Sequence, residues 1–149
     1  MKAPWNFSRY LKLAQNFLGN GRLPALLAAT TKKITQKGPA LSGLKEDLNL
    51  LQSLCIAWWR GEYRAISHEA LLAFVGALLY FVTPLDALPD WILGVGFVDD
   101  IAVLAWVLRK WSDELRMFRL WQSQQPAEKL KRIEHVPDSP VLEMEELKP

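Results

Sequence analysis

Thirty-nine consecutive residues, Ala70 to Leu108, contain no Lys, Arg or Glu, and their only charges are Asp86, Asp90, Asp99 and Asp100. The first third, Ala70 to Val82, is apolar on every face of a helix, so it must be buried in protein or in lipid. Thr83-Pro84 should stop that helix. Pro84, Pro89, Gly94 and Gly96 then forbid one regular helix over 84–98, which reads as a turn with at most a short helical piece. Thirteen residues, Ala70 to Val82, rise about 20 Å. A hydrocarbon core of about 30 Å needs ~20 apolar residues. Neither half of the window spans a bilayer alone.

Three features nevertheless favour lipid over a protein core. Arg60 and Arg64 precede the window and Arg109 and Lys110 follow it, which puts both ends on the cytoplasmic side by the positive-inside rule. The aspartates gather at the tip. Trp58, Trp59, Trp106 and Trp111 stand at the flanks, where an aromatic belt would lie. The expectation is a hairpin dipping into the membrane from the cytoplasmic face. The competing expectation is a soluble, cytoplasmic bundle with the hairpin as its core, which could oligomerise by burying that face.

The rest of the chain is also helical in period, and no alternating strand pattern emerges. Tyr10, Leu11, Ala14, Phe17 and Leu18 form the stripe of a first helix, stopped by Gly19-Asn20-Gly21. A second, basic helix runs from Pro24 to about Gln36. A third, from about Ser42 to Gly61, carries Leu44, Leu48, Leu51, Cys55 and Trp58 on one face. Ser67 is placed to cap the next helix, with Glu69 in its first turn. One long last helix is expected from Asp99 to about Gln122, then a short one to Glu134 and a disordered acidic tail from Val136. The chain is therefore all-α. It divides into basic helices over 1–41, a helical domain over 42–122 with its hairpin at about 68–110, and a tail over 123–149.

The formal net charge of +2 conceals an asymmetry: residues 1–45 carry eight bases and no acid. Such a basic, tryptophan-bearing head, Trp5 included, could lie on anionic headgroups as an interfacial segment. It could instead bind nucleic acid, with Trp5, Phe7 and Tyr10 stacking on bases. Because the aromatics share a face with leucines, packing or lipid explains them more simply. The first 20 residues lack the continuous apolar run of a signal peptide.

The four aspartates have three possible uses: capping turns and helix starts, titrating at raised pKa if desolvated together, or holding a divalent cation for metal-assisted hydrolysis. Capping is the preferred reading, because the spacing is not an EF-hand loop and no His or Cys strengthens a metal site. Tyr80, Pro84, Asp86, Pro89, Asp90, Gly96, Asp99 and Asp100 together closely resemble the signature of the YkvA-like family, a domain of unknown function. Thr83 stands where that family has Ser, and Ala87-Leu88 where it has Leu-Ile. The motif covers about residues 68–110, and the basic arm with Trp58 to Tyr63 looks like the longer bacterial members. The resemblance implies a small membrane-associated helical protein, in a family whose domain also occurs in membrane-bound RING-type ubiquitin ligases. It implies no reaction and no cofactor.

No catalytic constellation stands out. His68 and His135 have no ligand partners at useful spacing. Cys55 falls on an apolar stripe, as a buried thiol would. Gly94-Val95-Gly96 lacks the rest of a phosphate loop. The reading is a non-catalytic interaction or scaffold element at the cytoplasmic membrane face, with a protein partner or a second copy left open.

Overall fold

The computed structural model of the chain describes residues 7–36, 44–82, 100–137, 140–142 and 146, and among them seven helices and no strand. In α1 (Phe7–Gly19) the stripe turns Tyr10, Ala14 and Phe17 into the core and leaves Arg9 and Lys12 outside. Gly21, at φ +68°, ends it: the Arg22 N–H reaches back to the Phe17 carbonyl at 2.9 Å, the long bond of a Schellman turn. α2 (Leu23–Gln36) follows at once.

α3 (Lys45–Trp59) ends by the same device. Gly61 takes φ +77°, its N–H donates to Trp58 at 3.0 Å, and the Glu62 N–H donates to Ala57 at 2.9 Å. α4 (His68–Val82) begins where Ser67 predicts, with the Ser67 hydroxyl accepting the Ala70 N–H at 3.2 Å.

α4 is the axle of the fold. Eleven of its fifteen residues are buried, Phe74 and Phe81 completely. α1 packs along it most extensively, followed by α5 (Asp100–Lys110) and α2, with α3 touching it as well. Burying one large apolar side chain contributes about 1.5–3 kcal/mol, so a helix apolar all round finds its burial inside its own chain. The expectation that the hairpin walls lie among acyl chains is therefore corrected for α4: the walls face α1, α2 and α5. No helix among the described residues is long and apolar enough to cross a membrane.

Two junctions differ from the sequence reading. The long last helix is broken at Trp111 (φ −110°, ψ 32°), whose carbonyl accepts the Glu114 N–H at 3.1 Å. α6 (Ser112–Ser123) restarts there with Asp113 and Glu114 in its first turn, where the helix dipole favours acids. The new direction brings Phe118 onto Tyr63, with ring centroids 4.9 Å apart. α7 (Ala127–Glu134) is the expected short helix and lies on α3. In the segment where composition predicts disorder, the described residues Val136 and Leu142 pack against the core and Glu146 pairs with Arg22.

Candidate functional site

The signature residues divide sharply. Tyr80, near the end of α4, is a packing residue: its ring meets Tyr10 edge-on at 5.0 Å and is 5% exposed. Next to it, Lys33 of α2 donates to the Phe81 carbonyl and stands over the Phe81 ring at 4.8 Å. A cation at this helix end complements the dipole and satisfies a terminal carbonyl. Asp100 opens α5. Pro84, Asp86, Pro89, Asp90, Gly96 and Asp99 lie outside the described residues, and so does the proposed acidic tip.

α1 is not an interfacial segment lying on headgroups by its apolar face, because that face is spent on α4. At Gly76 the two helices come so close that an added Cβ would sit 3.4 Å from the Tyr10 carbonyl oxygen. Tyr10, fully buried, cannot stack on a nucleic-acid base. Trp5 lies outside the described residues.

The other interface candidates lie at the surface in two groups. Trp58 and Trp59 close α3, both half-buried. Arg64 lies over the Trp58 ring at 4.4 Å, and a Cβ on Gly21 would sit 3.6 Å from the Trp59 ring. The tight turn between α1 and α2, and Arg22 with it, is therefore set beside Trp59. Arg60, one residue on, donates to the His135 carbonyl at 3.2 Å. Trp106 and Trp111 form the second group, rings 6.1 Å apart, with Lys110 about equally over both at 5.1 and 5.0 Å. Each such cation–π contact contributes about 0.5–1 kcal/mol at an exposed site and leaves the cation facing water.

Two features had no signal in local sequence. Trp121 stacks on Phe118 at 5.5 Å under Lys129, completing an aromatic cluster with Tyr63 that seals α6 against the α3–α4 connection. Burial, and then the Glu114 charge, raise the Tyr63 phenol above its ordinary range. The pair Arg22–Glu146 joins residues 124 apart in the chain. Phe118 and Trp121 are i,i+3 neighbours on α6, but hydrophobic periodicity and motif spacing report only neighbours within a few turns, so neither the Tyr63 contact nor the Arg22–Glu146 pair could be read ahead.

The remaining chemistry is quiet. Cys55 is fully buried, and desolvation pushes its thiol up to about 12, so it stays protonated and unreactive at neutral pH. His68 and His135 are exposed. Glu62 accepts from Arg132 at 3.2 Å, while its other oxygen is buried without a partner among the described residues. A groove of about 400 Å³ runs along α3 and carries both signs of charge, Glu46 and Glu134 with Arg119. Among the described residues no group of three or more His, Cys, Asp or Glu side chains could hold a metal ion.

Comparison with known proteins bears on the same stretch. Residues 70–106 match the family model described as a protein of unknown function, DUF1232. The uncharacterized membrane protein YkvA of Bacillus subtilis (strain 168) is 42% identical over 67 residues, which are 45% of this chain and 63% of that protein. This chain thus spans less than two thirds of the relative's length. No solved structure matches. Over residues 70–106, then, the chain is similar to the DUF1232 family of proteins of unknown function, and to YkvA among its relatives.

Proposed function

We propose that this protein is a non-catalytic, membrane-associated helical protein, an interaction or scaffold element at the cytoplasmic membrane face. It docks on anionic lipid through the surface that carries Trp58, Trp59, Arg22, Arg60 and Arg64. The observation that carries this reading is the juxtaposition of the α1–α2 turn with the end of α3. Trp59 lies against Gly21, the neighbour of Arg22, and Trp58, next to it at the end of α3, lies under Arg64. Tryptophan rings suit the headgroup level, and a base near an anionic leaflet contributes about 1 kcal/mol. With Arg22 paired to Glu146, Arg60 and Arg64 supply about 2 kcal/mol, enough for reversible attachment and too little for irreversible anchoring.

The relative's name as a membrane protein supports the location, and the bases flanking the charge-free window support the cytoplasmic side. The sealed, protonated Cys55 is in keeping with a role without catalysis. In this reading α4 supplies a rigid core, and the membrane contact belongs to the edge of the bundle.

Vesicle flotation tests the proposal. The protein should float with vesicles holding about a third anionic phospholipid, stay behind with purely zwitterionic ones, and release as salt rises, because surface attraction is screened. Trp58→Ala with Trp59→Ala should cut flotation severalfold while leaving the helical circular-dichroism signal intact. Equal recovery of the folded double variant and the wild type would overturn this docking surface.

A further inference from the structure

The groove along α3 is lined by buried polar groups and by charges from three helices. We infer that it binds a dibasic amino acid, with the carboxylate on Arg119, the α-ammonium on Glu46 and the side-chain cation on Glu134. The site is independent of the membrane reading and shares no residue with it.

Two neighbours on α3 supply the buried part of the lining. Ser53 is 9% exposed and lines the groove, yet its hydroxyl makes no hydrogen bond among the described residues. By contrast, Thr30, Thr31 and Thr35 of α2 each donate to the carbonyl four residues back, the usual outlet for a helical hydroxyl. Gln52, 8% exposed, is oriented by its amide nitrogen, which donates to the Leu27 carbonyl at 3.1 Å and to the Thr31 hydroxyl at 2.9 Å. A carbonyl only accepts, so the nitrogen must face Leu27, and the Gln52 amide oxygen is left without a donor among the described residues. Buried polar groups without partners cost stability, so two of them side by side in a groove wall mark where a ligand would satisfy them.

Charge selects the ligand. The groove, at about 400 Å³, falls within the ~300–1,000 Å³ of small-molecule sites. Glu46 stands in the first turn of α3, about two turns before Ser53 on the same face. Glu134 closes α7 beside His135, whose carbonyl accepts from Arg60, just past the other end of α3. The two acids therefore approach from opposite ends, and neither is in an ion pair among the described residues. Arg119 of α6 also lines an adjoining groove with Asp47 and Leu50, which sets it toward the Glu46 end. A base and an acid at one end with a second acid at the other complement free arginine or lysine, which carry two cations and one carboxylate. The N–H groups of such a ligand also supply the donors that Gln52 and Ser53 can accept. A polyamine would leave Arg119 facing like charge, and a dicarboxylate would meet two acids.

Titration of the full chain with L-arginine, followed by nuclear magnetic resonance, tests this against two near-isosteres: citrulline, which lacks the side-chain cation, and agmatine, which lacks the carboxylate. Because the charged groups are exposed, L-arginine should bind with a millimolar Kd and shift the Ser53 backbone and Gln52 side-chain amide resonances. Each analogue loses one exposed charge pair and should bind roughly fivefold more weakly. Glu134→Gln should weaken arginine roughly fivefold and leave citrulline unchanged. Arg119→Gln should weaken arginine by a similar factor without weakening agmatine. Both substitutions are at exposed positions, so the helical circular-dichroism signal should stay that of the wild type. If the three ligands bind alike, or none moves these resonances, the inference is overturned. Unchanged arginine affinity in both variants would put the ligand elsewhere and overturn it as well.

Discussion

Gly76 lies in the contact between α1 and α4, and substitution there reports directly on what covers α4. A Cβ at this position would meet the Tyr10 carbonyl oxygen at 3.4 Å, and the Leu11 Cδ2 and Tyr10 carbonyl carbon at 3.5 Å each. These are ordinary contacts, so alanine fits with a few tenths of an ångström of adjustment. Alanine also gains up to about 1 kcal/mol of helix propensity over glycine. Gly76→Ala should therefore be neutral or stabilising by up to about 1 kcal/mol. Leucine adds three more carbons, and two of the three nearest obstacles are α1 backbone atoms that cannot turn away as a side chain can. α1 must lift off α4, at a cost of about 1–3 kcal/mol. At about 2–4 °C per kcal/mol for a chain of this size, the Leu variant should melt ~2–12 °C below wild type by circular dichroism. If acyl chains covered this face, the extra methyl groups would be harmless. A Gly76→Leu protein that melts with the wild type would refute the packing of α4 against α1.

Two further perturbations probe the core from other directions. Lys33→Met keeps the length of the stem while removing the donor to the Phe81 carbonyl and the cation above the Phe81 ring. It should lower unfolding free energy by about 1–2 kcal/mol with an unchanged urea m-value, and an unshifted midpoint would mean that the link contributes nothing. Stability should also fall on the alkaline side, because the folded chain holds Cys55 up to about 12 against an ordinary 9.0 and Tyr63 above its ordinary 10.0. Both folded values are raised, so the unfolded chain ionises first. The contribution is whole below about pH 9 and is lost as pH climbs through the folded values. Cys55→Ala should flatten this alkaline limb in urea titrations. Native Cys55 should resist a thiol reagent at pH 8, and stoichiometric reaction within seconds would show the site to be open.

Much of this architecture is written locally. The Gly19-Asn20-Gly21 stop, the Ser67 cap, the stripe of α1 and the short α7 depend on interactions within a turn or two, and the chain states them directly. The break at Trp111 escaped because Leu104, Leu108, Leu115 and Phe118 keep a helical period across it. The contact of Phe118 with Tyr63, in the connection between α3 and α4, lies outside what that period can report. The Arg22–Glu146 pair escaped for a related reason: the composition after Val136 is that of a segment too polar to fold by itself, and composition cannot show that Glu146 meets Arg22.

The sequence by itself determined that α4 must be hidden, because no face of Ala70 to Val82 tolerates water. It could not determine what hides it, since lipid and leucine are equally apolar to a helix that offers no polar group to discriminate between them. Tertiary structure decided that question for α4 by supplying α1, α2 and α5 as its solvent. The membrane contact proposed above accordingly uses Trp58, Trp59 and the turn before Arg22 in place of the hairpin walls. Those residues lie nearly forty positions apart, and only the packing of three helices brings them together.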